Sequence, residues 1–132
     1  MTVRLNDAMR NSGTDALAGV LTSGGTLHLY VYTGSQPASA NSAASGTLLL
    51  DYDLTAETFT AASGGSSSLS TLPVSATATA TGTAGWARLT DGTVRMDGSV
   101  GTSGTDFLLA TVAVTSGNMV NLTGLTLSLP AS

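Results

Sequence analysis

The sequence predicts a mainly β fold, an antiparallel β-sandwich of about seven to eight strands with one N-terminal helix. Three observations predict it. Short runs of alternating apolar and polar residues recur at roughly ten-residue spacing. Turn residues (Gly, Ser, Asn and Pro) separate them. Only the N-terminal stretch carries a helical period. The 132 residues read as one domain long enough to bury a core. Within it, residues 1–24 form a helical segment packing on its own or a neighbouring subunit, and residues 25–132 form the sandwich.

The helix is expected over residues 3–22. Leu5, Met9, Ala16, Leu17 and Val20 or Leu21 fall on one face at three- and four-residue steps. Asn6 or Thr2 caps its start, Gly24-Gly25 ends it, and Gly13 costs about 1 kcal/mol against Ala, enough to split the segment. Leu27 to Thr33 alternates as a strand, with Leu27, Leu29 and Val31 on one side and His28, Tyr30 and Tyr32 on the other, half-covered side. Residues 34–46 have no apolar anchor and form a loop, mobile or draped on a partner. In Thr47 to Leu54, Leu48, Leu50, Tyr52 and Leu54 share a face, and Asp51 and Asp53 flank Tyr52 on the other. Phe59 anchors the next turn, and residues 61–70 form a surface loop with room for a short strand.

Val74 to Thr83 alternates strictly, with Val74, Ala76, Ala78 and Ala80 inward and a row of Thr77, Thr79 and Thr81 outward. Asp91-Gly92 then suits a two-residue hairpin turn, where positive φ is needed. That turn sets Leu89 opposite Val94, Ala87 opposite Met96, Arg88 opposite Arg95 and Trp86 opposite Asp97. Two arginines face to face are unfavourable. Either an acid such as Asp97 or Asp106 reaches them, or they hold a partner's negative group, or the turn is longer. Phe107 to Thr115 is apolar on both faces, as in a central strand. Met119 to Leu129 closes the chain as a strand or strand pair broken at Gly124, ended by Pro130.

Composition narrows the function. Charged residues make up 9% of the chain, lysine is absent and the net charge is −4, against roughly 25% charged residues in an ordinary domain. Nucleic-acid binding needs a dense basic surface and is not expected. No apolar run reaches the roughly 18–20 residues of a spanning helix, and the N-terminus has no signal-peptide pattern. A Thr/Ser/Ala surface so poor in charge fits one covered by neighbouring subunits, whose interfaces are depleted in Lys, Glu and Asp.

Chemistry-bearing patterns are sparse. His28 is the sole histidine, in mid-strand, and no serine sits in an elbow motif. Asp51 and Asp53 lie about 7 Å apart on one strand face, which serves a solvated surface better than a glycosidase or calcium site. No phosphate-cradling loop, cofactor motif or metal-ligand set is present, and no catalytic residue is assigned. The threonine row lacks the repeats of an ice-binding array. Trp86 suits either the core or a sugar-stacking platform.

A family resemblance rests on Trp86-Ala87-Arg88, Asp91-Gly92 and Met96-Asp97-Gly98-Ser99-Val100-Gly101. A leucine-rich strand, a Ser-Gly-Asn turn and a closing Leu-x-Leu-x-Leu-Pro-Ala follow, and the opening Leu5-Asn6-Asp7-Ala8-Met9-Arg10 precedes a Gly-Gly-Thr-Leu strand. Across nearly the whole chain this resembles small virion structural proteins of tailed bacteriophages. The resemblance implies a non-enzymatic, β-rich, oligomeric subunit made in the bacterial cytoplasm and located in the virion, as head decoration, neck or collar, or adjoining tail. Its expected partners are further copies and the capsid, portal or tail proteins, without cofactor, nucleic acid or membrane. Arg88, Arg95, Asp97, Leu5, Met9 and Leu17 are the candidate subunit-interface residues. The alternative is a fibre- or spike-like module contacting host surface glycans through Trp86, Tyr30 and Tyr32.

Overall fold

A computed structural model describes residues 4–23, 26–55, 58–70 and 72–128. In chain order the elements are α1 (Asp7–Ser23), β1 (His28–Thr33), β2 (Leu48–Asp53), β3 (Ser66–Ser68), β4 (Val74–Thr77), β5 (Gly82–Thr90), β6 (Arg95–Gly101), β7 (Phe107–Leu109), β8 (Ala113–Val114) and β9 (Met119–Ser128). The fold is mainly β with one helix, as the periodicities predict, but it is not an antiparallel sandwich. The described strands join one mixed sheet in the order β2-β1-β5-β6-β7-β9-β3, with β4 also on β9 and β8 on β5. It curls into a half-barrel around a single core.

The mixed character comes from β6 and β7, which pair in parallel through Val100–Phe107 and Gly101–Leu108. Asp106 is the local cause. Its Oδ2 accepts hydrogen bonds from the Ser99 N–H (3.0 Å) and Oγ (3.1 Å). The chain is thereby pinned back beside Ser99 before β7 starts, where a hairpin would have reversed it.

The curl brings β4 round to β2. Just past β4, the Thr79 N–H donates to the Leu49 carbonyl at 2.9 Å. Inside, the buried Tyr52 hydroxyl of β2 donates to the Val120 carbonyl of β9 at 2.9 Å, and burial pushes that phenol well above its ordinary pKa. Leu29, Val31, Leu50, Leu54, Leu89, Leu122 and Leu125 are fully buried around it. Leu49 is buried as well, because a register shift after Val31 pairs Tyr32 with Leu48 and leaves Leu49 as the extra residue.

Several elements are shorter than the alternation predicts. The 74–83 run divides into β4 and β5, and its threonines leave the row. The Thr79 hydroxyl donates to the Leu48 carbonyl, and the Thr81 Oγ1 accepts the Ser116 N–H. The 107–115 run divides into β7 and β8, whereas β9 passes through Gly124 unbroken. A Cβ at Gly124 would meet the Leu108 side chain at 2.7 Å, so the glycine lets β7 lie close.

The helix starts at Asp7, later than residue 3, because Asn6 caps it: its Oδ1 accepts the Met9 N–H at 3.0 Å. It runs through Gly13 without a break. Its buried face carries Thr14, Ala18 and Leu21, with Leu17 partly buried. Of the expected face of Leu5, Met9, Ala16, Leu17 and Val20 or Leu21, Leu21 is buried and Leu17 partly so, and the reading is corrected at Met9, Ala16 and Val20. Met9 and Val20 are 59% and 48% exposed, with Ala16 exposed beside them. The other proposed cap, Thr2, the helix stop Gly24-Gly25, and Leu129 and Pro130 lie outside the described residues.

Among the described residues, no helix is long and apolar enough to cross a membrane.

Candidate functional site

The polar side chains gather on the outer face of β2, β1, β5 and β6. Register builds the face row by row. Along β1, His28 lies between Asp53 and Thr90, Tyr30 between Asp51 and Arg88, and Tyr32 opposite Trp86. The next strand sets Asp97 opposite Arg88, Ser99 opposite Trp86 and Arg95 opposite Thr90.

This register corrects the hairpin. The connection is four residues long, Asp91 to Val94, so every pair moves by two from the Asp91-Gly92 turn expected above. The Asp91 carboxylate shapes it by accepting the Thr93 and Val94 N–H groups at 2.8 and 2.9 Å. Those bonds hold the Asp91 carboxyl below the ordinary carboxylate pKa. Gly92 takes φ +98°, where L side chains are strained. The unfavourable Arg88–Arg95 opposition thus disappears. Arg88 Nε and Nη2 instead grip Asp97 Oδ1 and Oδ2 at 2.7 and 2.9 Å. Their side chains are 6% and 3% exposed. The Asp97 hydrogen bonds raise the guanidinium pKa still further above its ordinary value.

Rings complete the face. Tyr32 stacks on Trp86 with centroids 4.8 Å apart, and the Arg88 guanidinium lies 5.4 Å from the indole centroid. His28 stacks on Tyr30 at 5.5 Å. His28 Nδ1 is 2.7 Å from Asp51 Oδ1, while Nε2 is 4.0 Å from Asp53 Oδ1. Asp53 also accepts the Thr55 N–H, and the Thr55 hydrogen bonds lower its carboxyl pKa. Partial burial, then nearby Asp51, raises the Tyr30 phenol.

The loop over residues 34–46 crosses the same face. It leaves β1 at Gly34, where a Cβ on Gly85 would run into the Gly34 carbonyl. Farther on, the Asn41 carbonyl accepts Arg95 Nη1 at 3.4 Å. The loop is draped on its own hairpin, and a cleft of about 500 Å³ opens between Ala40, Asn41, Thr93, Val94 and Arg95.

Trp86 is 0% exposed, and its indole Nε1–H is buried without a hydrogen-bond partner among the described residues. That corrects Trp86 as a glycan platform, since stacking on a sugar needs an open ring face. Tyr30 and Tyr32 remain half-buried. Of the candidate interface residues, Arg88 and Asp97 satisfy each other within the chain, and Arg95 sits at the rim of the face. Leu5 and Met9 lie elsewhere, Leu5 just ahead of α1 and Met9 in its first turn. Leu17 packs partly against the core. Arg88 and Asp97 are spent on each other, whereas Arg95 meets the Asn41 carbonyl, and a second cleft of about 300 Å³ opens by His28, Tyr30, Thr90 and Asp91. Among the described residues, no group of three or more His, Cys, Asp or Glu side chains is placed to hold a metal ion.

A second polar cluster had no counterpart in the sequence reading. Four consecutive-turn residues of α1 bind the backbone of residues 62–65. Arg10 Nη2 donates to the Gly64 carbonyl at 2.8 Å and the buried Thr14 hydroxyl to the Gly65 carbonyl at 2.7 Å. Asn11 Oδ1 accepts the Gly65 N–H and Asp15 Oδ1 the Ala62 N–H. The spacing 10, 11, 14, 15 marks one helix face. Sequence reading for apolar periodicity passes over such a face.

Comparison of the chain with family models, with curated proteins and with solved structures gives no match.

Proposed function

We propose that this chain is a non-enzymatic structural subunit of a bacteriophage virion, built to assemble in symmetric copies on the head, the neck or the adjoining tail. The exterior carries the proposal. The outward face of α1 presents Met9, Ala16 and Val20, and Met119 at the start of β9 is 67% exposed. The chain as a whole carries few charges, 9% of its residues, and interfaces are depleted in Lys, Glu and Asp and enriched in Met. Two of the four arginines are already used inside the chain, Arg88 by Asp97 and Arg10 by Asp7 and Gly64. Apolar and neutral polar burial is therefore the main adhesive, with charge pairs fixing register. The resemblance to small virion proteins supports the same reading.

The alternative, a module contacting host glycans, loses its platform with Trp86 buried. The deciding measurement is light scattering on the purified chain together with its detection in purified particles. A discrete oligomer that co-purifies with particles is expected. A chain that stays monomeric at high concentration and is absent from particles overturns the proposal.

A further inference from the structure

Two strand edges face each other across a gap that β7 only partly fills. This short strand stands between β6 and β9, paired to them through Phe107 to Leu109. Ahead of Phe107 the chain turns away, while β6 continues back to Arg95 and β9 onward to Ser128. Two ladder spacings separate these edges, about 9–10 Å, the room of one further strand. Met96, Asp97, Asp106, Phe107, Thr126 and Leu127 line the gap, which measures about 140 Å³.

The main-chain groups on both sides point into it. The Ser99 N–H turns away from β5, toward Asp106. By the alternation of an antiparallel ladder, Asp97 and Arg95 present their N–H and C=O to the same side. On β9 the Leu125 carbonyl accepts from Leu69 on the β3 side, so the groups of Thr126 face the gap. Met96, Phe107 and Leu127 form an apolar floor. Asp106 stands at the rim, hydrogen-bonded to Ser99 and without a cationic partner among the described residues.

Such a slot takes an extended segment with an apolar side chain inward and a cation outward. The chain carries one. Before the Asn6 cap the sequence reads Val3-Arg4-Leu5, apolar residues flanking a basic one at the period of a strand. Arg4 is exposed and has no acidic partner among the described residues. Residues 4–6 do not line the slot of their own copy.

We propose that the slot between β6 and β9 receives the Val3-Arg4-Leu5 segment of a second copy by strand addition, with Arg4 beside Asp106. Each copy then gives an arm to one neighbour and takes one from another, a head-to-tail contact of the kind that builds rings when the rotation between copies closes and open filaments when it does not. The proposal rests on the self-assembly reading above.

The chain has no cysteine, which makes the test direct. Leu5→Cys and Met96→Cys are placed on two full-length copies with different tags, mixed and mildly oxidised. A cross-linked product carrying both tags is expected, and none when Thr111→Cys, at an exposed position away from the slot, replaces Met96→Cys. In parallel, Arg4→Glu should weaken association roughly tenfold while leaving the melting temperature of the single chain unchanged. If the parent assembles, yet no mixed product forms and Arg4→Glu associates like the parent, strand addition fails and self-assembly stands. If the parent is monomeric at every concentration, both fail.

Discussion

On the β1–β5–β6 face, side chains hold side chains; under α1, side chains hold main chain. In the first region a regular ladder sets the rows, and Arg88–Asp97, Tyr32–Trp86 and His28–Tyr30 follow from register alone. In the second, the 62–65 turn offers no ladder. Arg10, Asn11, Thr14 and Asp15 each take a separate backbone group. The difference teaches where this chain concentrates its stability. A ladder with a buried ion pair fails as a unit, because one lost partner strands the other in a dry environment. A clamp of separate hydrogen bonds fails by increments.

The comparison breaks most easily at Arg88. Arg88→Ala leaves the Asp97 carboxylate, 3% exposed, without its bidentate partner. A loss of about 3–5 kcal/mol is expected in denaturant unfolding. The double change Arg88→Met with Asp97→Leu removes both charges and should fall much closer to the parent. A parent-like Arg88→Ala would show that the two regions do not differ in the way described. Next in size is Thr14→Val, which keeps the shape and deletes the bond to the Gly65 carbonyl. It should cost about 1–2 kcal/mol, with faster amide exchange confined to residues 62–65. Exchange accelerated across the whole sheet would mean that the clamp is not separate.

The smallest effect is acid sensitivity. Asp91 and Asp53 have carboxyl pKa values lowered in the folded chain by hydrogen bonds, to Val94 and Thr93 in one case and to Thr55 in the other. A lowered folded-state value contributes stability above the unfolded carboxylate pKa of about 3.9. That contribution is lost as pH falls through the folded values. The melting temperature should therefore decline on acidification below about pH 4. Asp91→Asn should flatten part of that decline, as followed by thermal scans; an unchanged slope would count against the turn bonds.

Much of this was legible in the sequence, and what was not has physical reasons. Period-two alternation found the inward face of β1, the Leu50 and Tyr52 positions of β2 and the Leu125 and Leu127 positions of β9, because those strands pack one side on the core; it missed Leu49, which the bulge turns inward. The same rule overextended 74–83 and 107–115, since alternation does not register a break where hydrogen bonds switch partners, as at Thr79 and Leu49. Parallel β6–β7 pairing depends on the Asp106–Ser99 bonds across a loop, a tertiary contact with no period. The two-residue turn failed because the Asp91 side chain caps Thr93 and Val94, favouring a longer connection that also resolves the arginine pair. On α1, counting apolar residues selected Met9 and Val20, while Thr14, polar but hydrogen-bonded, took the buried position.

The single tryptophan has one more consequence. Sealed from solvent, stacked on Tyr32 and overlain by Arg88, it makes the sheet self-reporting. Native emission should sit at short wavelength. Any step that parts β1 from β5 should shift that light to the red, without a label ever being attached.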